Sequence, residues 1–414
     1  MNITITPTKL KGAIIPPPSK SQAHRVLIAA ALADGESSID NVAFSQDIEA
    51  TVRCLEQLGA EFCRDGSALT VRGIGANAMS PMRRLAPPRI DCGESGSTLR
   101  FLIPVALAVC GGGIFTGRGR LMERPQKPYF DLFDERGIFY EQKDGVLTVA
   151  GMLTPGEYRL PGNVSSQFVT GLLYALPLLE GNSEIVLTSP LESRGYVDLT
   201  LNALNLFGIC PEPRENGFFI PGNRRYERQD FAVEADWSQA AFWYAAQALG
   251  NPVEVRGMDP GSAQGDRIIQ SYYEALCGPG EVELDVSQCP DLVPPLAAHA
   301  ALRGDGAVTR LVNAARLRIK ESDRLASVTA VLNTMGAQVE EHSDSLIITG
   351  RDSLTGGVTV DSHNDHRIAM MAAVAATRCR SSVTITGAQC VAKSYPNFWE
   401  DYEVLGGNIV REEP

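Results

Sequence analysis

Asn364-Asp-His-Arg-Ile-Ala-Met-Met-Ala-Ala-Val-Ala375 joins four polar residues, suited to capping and charging a helix start, to a run with no polar face. A helix that is apolar all round belongs inside a protein, so this stretch predicts a buried helix entered through a polar cluster. The pairing recurs along the chain. Clusters begin near Ser19, Ser95, Ser165, Trp237, Pro290 and Asp365, at intervals of 76, 70, 72, 53 and 75 residues. Runs such as Val26–Ala33, Phe168–Ala175 and Ala240–Ala246 follow them. A period near seventy residues marks an internal repeat.

Between these runs lies a second kind of segment: an amphipathic helix stopped by glycine, then a short polar turn and a strand ending in glycine. Copies start at Leu55, Leu132 and Leu332, and the stops fall at Gly59, Gly137, Gly208, Gly336 and Gly406, where a left-handed C-cap is expected. Asp65-Gly66 and Asp144-Gly145 read as hairpin turns. Six units of strand, buried helix, amphipathic helix and hairpin make a layered α/β protein. With 414 residues the chain exceeds what one core serves, so three units in each of two domains is the expected division. The unit over roughly 235–300 is degenerate. The stretch Pro211 to Arg225, rich in Pro, Gly, Asn and Arg, reads as a crossing point between domains.

Composition narrows the function. A formal net charge of -12 argues against a general binder of nucleic acid or anionic membrane, which needs a broad cationic surface. The nine cysteines are scattered with no C-x-x-C pair, and read as reduced, mostly buried thiols. The N-terminus lacks signal-peptide regions, and the longest apolar run, Phe101 to Cys110, contains Pro104 and is too short to span a bilayer. A cytoplasmic location is expected.

The repeat points at anions. Free N–H groups and the positive dipole end at a helix start attract phosphate or carboxylate. Here the starts carry extra cations: Ser19-Lys-Ser-Gln-Ala-His-Arg25 adds two, Glu94-Ser-Gly-Ser-Thr-Leu-Arg100 adds one, and Asn364-Asp-His-Arg367 adds a histidine and an arginine. Glu123-Arg124-Pro125, Ile319-Lys-Glu-Ser-Asp-Arg324 and Ala392-Lys393-Ser394 supply more. Arginine forks suit bidentate binding of phosphate and carboxylate. An acidic protein with cations concentrated this way is expected to bind small, multiply charged molecules.

These residues resemble the 5-enolpyruvylshikimate-3-phosphate synthase family, nearly end to end. The resemblance is carried by Pro18–Arg25, Gly93–Arg100, Arg124-Pro125, Gly162–Gln167, Ser193–Tyr196, Asp291, Lys320–Arg324, Asn364–Arg367 and Lys393. It implies the enolpyruvyl transferase fold, an inside-out α/β barrel in which each of two domains holds three βαβαββ units around buried parallel helices. The first domain would be discontinuous, 1–18 plus 235–414, and carry Asp291, Glu321, Arg367 and Lys393. The second, 19–234, would carry most contacts to shikimate 3-phosphate, and the two would close like jaws.

The implied reaction is transfer of the enolpyruvyl group of phosphoenolpyruvate to the 5-hydroxyl of shikimate 3-phosphate, with release of phosphate, on the route to chorismate and aromatic amino acids. No cofactor or metal is implied, and a monomer is expected. The catalytic set is Asp291, Glu321 and Lys20, with Asp291 taking the hydroxyl proton. By resemblance phosphoenolpyruvate meets Lys20, Gly96, Arg124, Gln167, Arg324, His366, Arg367 and Lys393. Shikimate 3-phosphate meets Lys20, Ser21, Arg25, Ser165, Ser166, Gln167, Ser193, Asp291 and Lys320. Gly96 leaves room beside the phosphoenolpyruvate position, which implies sensitivity to glyphosate. Glu94 and Arg316 stand where many members carry asparagine, and Gly195 where proline is common.

Plainer readings stand beside these. Asp291 after Pro290 can be an N-cap, Glu321 an ordinary helical ion pair with Arg324 at i+3, and neighbouring serines simple caps. Gly73-Ile-Gly-Ala-Asn-Ala78 imitates a dinucleotide fingerprint but ends a hairpin. His363, His366 and Asp361 fit helix entry and substrate contact better than a metal, and Gly111-Gly-Gly113 reads as a helix end. The alternatives in function are a UDP-N-acetylglucosamine enolpyruvyl transferase, which usually has a reactive cysteine in the loop that here reads Thr116–Arg124, and a catalytically silent sugar-phosphate binding homologue.

Overall fold

Each of the six polar clusters precedes a buried helix in the computed structural model, which describes residues 1–75 and 86–412. These helices are Lys20–Leu32, Gly96–Cys110, Ser166–Ala175, Trp237–Ala248, Val293–Ala300 and His366–Ala376. Ser95, Ser165, Asp236 and Asp365 cap four of them by accepting from backbone N–H groups one turn in. The fifth is entered through the 3-10 turn Pro290–Leu292. The amphipathic helices are Gln46–Leu58, Lys127–Arg136, Arg194–Leu206, Ile269–Cys277, Arg324–Thr334 and Phe398–Val404. Gly59 and Gly137 end two of them with φ of 113° and 65°, left-handed values that cost glycine nothing.

Five four-stranded sheets share one topology: the first strand lies parallel to the second, and the other two add antiparallel. In one of them Arg89–Asp91 and Gly112–Thr116 run parallel, followed by Val146–Ala150 and Phe139–Lys143. In chain order this is strand, helix, strand, helix, strand, strand, the expected βαβαββ unit. Two sheets borrow a strand from far away. Phe231–Ala232 pairs with Glu36–Asp40, and Asn2–Thr6 lies between Val383–Thr386 and Asn408–Glu412 with Ile3 opposite Ile385. The degenerate unit has a two-stranded sheet in place of a four-stranded one, with Val253–Val255 parallel to Gly12–Ile14.

The chain divides into two compact units, Met1–Ser19 with Ala235–Pro414, and Lys20–Glu234. Each has its own apolar core built on its three buried helices. The first unit needs both chain ends because Asn2–Thr6 fills a place in the last sheet. The stretch 211–225 is not the crossing point that its composition suggested. Glu212–Arg214 and Gly217–Ile220 form a hairpin there, with Pro213 on the sheet edge, where a missing N–H is tolerated. The first hairpin turn also shifts by one residue: Asp65 pairs with Ala68, leaving Gly66 and Ser67 in the turn. In the second, Asp144 and Gly145 both have positive φ, as a tight hairpin requires. The Gly73–Ala78 run continues past residue 75 into 76–85, which lie outside the described residues.

One helix contact bears on the site. Pro104 inside Gly96–Cys110 cannot donate to the Arg100 carbonyl. The Tyr129 hydroxyl donates to that oxygen instead, at 2.7 Å. Gly171 on the neighbouring helix permits the approach, since a Cβ there would stand 2.5 Å from the same oxygen. All nine cysteines are free, five of them buried and three exposed. Among the described residues no helix is long and apolar enough to cross a membrane.

Candidate active site

In the unit Lys20–Glu234, three helix starts gather sequence-predicted residues. Lys20, the first residue of its helix, donates through Nζ to Asp47 Oδ2 at 2.8 Å. Asp47 was not singled out from sequence. In the first turn of Gln46–Leu58 it looks like any acidic residue complementing a helix dipole, and its partner lies 27 residues away. Arg25 is almost fully buried, and three hydrogen bonds fix its plane: Nε to Thr200 Oγ1 at 2.9 Å, Nη1 to the Ser21 carbonyl at 2.6 Å, and Nη2 to the Tyr196 carbonyl at 2.8 Å. Burial lowers its guanidinium to about 10, with Tyr174 and Tyr196 opposing the shift. Beneath Lys20, His24 Nδ1 meets Thr51 Oγ1 at 2.8 Å, and a hydroxyl chain continues through Thr98 to Ser95. Burial, then Lys20 and Arg25, hold His24 well below the ordinary histidine value, so it is neutral.

Gly96, Arg124 and Gln167 come together. A Cβ on Gly96 would stand 2.5 Å from Arg124 Nη1 and 3.5 Å from Gln167 Oε1. Arg100 braces the group, donating to Gln167 Oε1 at 2.8 Å and to the Pro125 carbonyl at 3.1 Å, while Gln167 Nε2 donates to Ser97 Oγ at 3.1 Å. The plain capping role holds for Ser165, which accepts from the Gln167 N–H. Ser166 is the buried first residue of that helix. The cap reading fails for Ser193. It is buried, has φ of 54°, and its side chain does not cap Arg194–Leu206. Glu94 lies against the loop at Gly119, where a Cβ would stand 2.7 Å from Glu94 Oε2.

In the other unit, Asp291, Lys320, Glu321, Arg324, Asp365 and Arg367 form one cluster. Asp291 Oδ1 accepts from Arg324 Nη1 at 2.8 Å and faces Lys320 Nζ at 3.5 Å, and Oδ2 accepts from Arg367 Nη2 at 3.0 Å. Arg324 has a 1% exposed side chain and also reaches Glu321 Oε2 and Asp365 Oδ2, both at 2.7 Å. Asp291 therefore does not serve as the helix cap its position allowed. The Glu321–Arg324 pair exists at i+3, but Glu321 precedes the helix, which begins at Arg324 with Asp323 as its cap. Lys393 Nζ donates to the Asn364 carbonyl at 2.7 Å, His366 is buried beside Arg367, and Arg316 donates to the Ser287 carbonyl.

Three carboxylates and three cations balance in this cluster. Burial alone would raise the Asp291 carboxyl, but Arg367, Lys320 and Arg324 outweigh it and hold the group well below the usual carboxylate range. Burial pushes the Lys320 ammonium down, with Arg324 and Arg316 adding to the effect and Asp291 and Glu321 opposing it. Such a set can grip an anion through the cations and hold an ionised carboxylate beside it. Among the described residues no three His, Cys, Asp or Glu side chains are grouped to hold a metal. Asp361 accepts from the His363 N–H at 2.8 Å, closing a turn.

Repeated βαβαββ units whose buried helices begin in clusters of cations and hydrogen-bond donors define an α/β scaffold with helix starts of the chemistry that suits small anions. The profile of the EPSP synthase family, 3-phosphoshikimate 1-carboxyvinyltransferase, matches residues 5–402. A protein of that name from Clostridium kluyveri is 47% identical, covering 98% of each chain, and one from Clostridioides difficile is 42% identical, covering 99% of this chain and 98% of its own. A solved structure of EPSP synthase from Acinetobacter baumannii matches the fold with a TM-score of 0.78 at 24% identity, covering 99% of this chain and 100% of the other. The chain belongs to the EPSP synthase family.

Proposed function

We propose that this chain transfers the enolpyruvyl group of phosphoenolpyruvate to the 5-hydroxyl of shikimate 3-phosphate by addition and elimination. The observation that carries this reading is the Asp291 carboxylate held among Lys320, Arg324 and Arg367. In the addition step the hydroxyl proton passes to Asp291, the oxygen bonds to C2 of phosphoenolpyruvate, and C3 takes a proton from an acid. In the elimination step the new methyl group gives a proton back and the C–O bond to phosphate breaks. Glu321 and Lys20 are assigned the proton transfers at carbon and the charge of the leaving phosphate. Arg124, Arg324, Arg367 and Lys393 are assigned to phosphoenolpyruvate, with Gly96, Gln167 and His366. Lys320, Arg25, Ser21, Ser165, Ser166 and Ser193 are assigned to shikimate 3-phosphate. Nine free thiols support a reducing, cytoplasmic setting.

The test is phosphate release from phosphoenolpyruvate with shikimate 3-phosphate or UDP-N-acetylglucosamine as acceptor. Release is expected with the first and absent with the second, and the reverse pattern rejects the reading. The loop Thr116–Arg124 contains no cysteine, which favours the first acceptor.

Gly96→Ala probes the donor side. The added methyl carbon displaces the Arg124 guanidinium, so KM for phosphoenolpyruvate is expected to rise at least roughly tenfold, about 1.4 kcal/mol, with kcat less affected. An unchanged KM removes Arg124 from the donor site.

A further inference from the structure

Lys320, Arg324 and Arg367, which hold Asp291, are each also assigned above to a substrate anion. The carboxylate cannot keep all three partners and still leave them available to phosphate and carboxylate groups. The three are not held equally. Arg324 is fixed from behind by Asp365 and Glu321, both at 2.7 Å, and cannot follow an incoming anion. Lys320 stands at 3.5 Å on a flexible stem with 30% of its side chain exposed, and Arg367 holds Asp291 through Nη2 at 3.0 Å and the main-chain oxygen through Nη1 at 3.2 Å.

We propose that substrate anions unmask Asp291: an anion arriving at Lys320 and Arg367 draws these cations off the carboxylate, so that Asp291 accepts a proton only once substrate is seated. This rests on the assignment of Asp291 as the acceptor of the hydroxyl proton. The incoming negative charge acts in the same direction, because a second anion beside a carboxylate favours its protonated form. Several groups enter this balance: Lys320 and Glu321 from the loop before Arg324–Thr334, Arg324 and Arg367 from the first turns of their helices, and Cys289 from the adjoining turn bear on Asp291, while Arg316 acts on Lys320 and Asp365 holds Arg324. In the free protein Arg367, Lys320 and Arg324 together hold the Asp291 carboxyl well below the usual carboxylate range. The device withholds the base from water until an anion is seated at Lys320 and Arg367.

The experiment titrates the Asp291 carboxyl by infrared difference between wild type and Asp291→Asn. It is done on the free protein, with inorganic phosphate, and with shikimate 3-phosphate alone, where no turnover occurs. Each anion is expected to raise the Asp291 titration point by about 2 units. Lys320→Gln should raise it in the free protein and shrink the further rise on adding anion. In kinetics, the acid limb of kcat should lie at higher pH than that of kcat/KM, because the first reports the complex and the second the free enzyme. A titration point unmoved at anion saturation shown by calorimetry overturns the proposal, as does failure of either anion to bind. These outcomes differ from failure of the functional reading, in which Asp291→Asn keeps full turnover.

Discussion

Asp291→Asn is expected to lower kcat for phosphate release about 10³-fold, within the range that positioned general bases contribute. The amide keeps the shape of the carboxylate but cannot accept the hydroxyl proton. It also removes one negative charge from among Lys320, Arg324 and Arg367. That second effect runs the other way for binding: the freed cations hold an anionic donor at least as well as before, so KM for phosphoenolpyruvate should stay level or fall. The pairing of collapsed kcat with undiminished affinity separates a lost base from a disordered site, which would weaken both. Steady-state phosphate release against both substrates measures it, and turnover near that of the wild type rejects the role.

The scaffold was legible because its signals are local. A polar cap followed by an all-apolar run is complete within twelve residues, as at Asn364–Ala375, and six copies expose a period. Helix stops at Gly59 and Gly137 are equally self-contained, since the left-handed turn needs only the glycine. The pieces that close each unit were not legible. Asn2–Thr6 and Phe231–Ala232 fill sheets whose other strands lie hundreds of residues away, and nothing in a two-residue strand announces its partner. Composition misled at 211–225 because Pro, Gly and Asn suit an exposed edge hairpin as well as a linker.

The same division runs through the site. Lys20, Arg124, Arg367 and Lys393 stand out as cations in polar clusters. The carboxylates that hold Lys20 and Arg324 do not, because Asp47 and Asp365 have ordinary helix-start roles as well, and Asp365 does cap its helix. One residue serves twice: Asp365, the cap that starts a buried helix, also anchors Arg324. Nothing in the sequence of Arg100 shows its part, which is to brace Gln167 and the Arg124-Pro125 turn from a helix whose carbonyl Pro104 has released.

Asp365 and Arg324 are the pair on which the cluster in the unit Met1–Ser19 with Ala235–Pro414 depends, and Arg324→Met tests this. Methionine fills much of the space, so the loss is electrostatic rather than a cavity. It leaves Asp365, which is 0% exposed, with hydrogen bonds from Ser322 Oγ and the Arg367 N–H and with His366 Nδ1 at 4.0 Å, and takes a cation from Glu321 and Asp291 as well. Breaking a buried pair from one side strands the other charge, so a loss of about 3–5 kcal/mol in unfolding free energy is expected in urea titrations. Adding Asp365→Asn should recover part of it, because asparagine caps a helix as well as aspartate and carries no charge to strand. A deficit below about 1 kcal/mol, typical of exposed pairs, shows that the cluster holds together without Arg324.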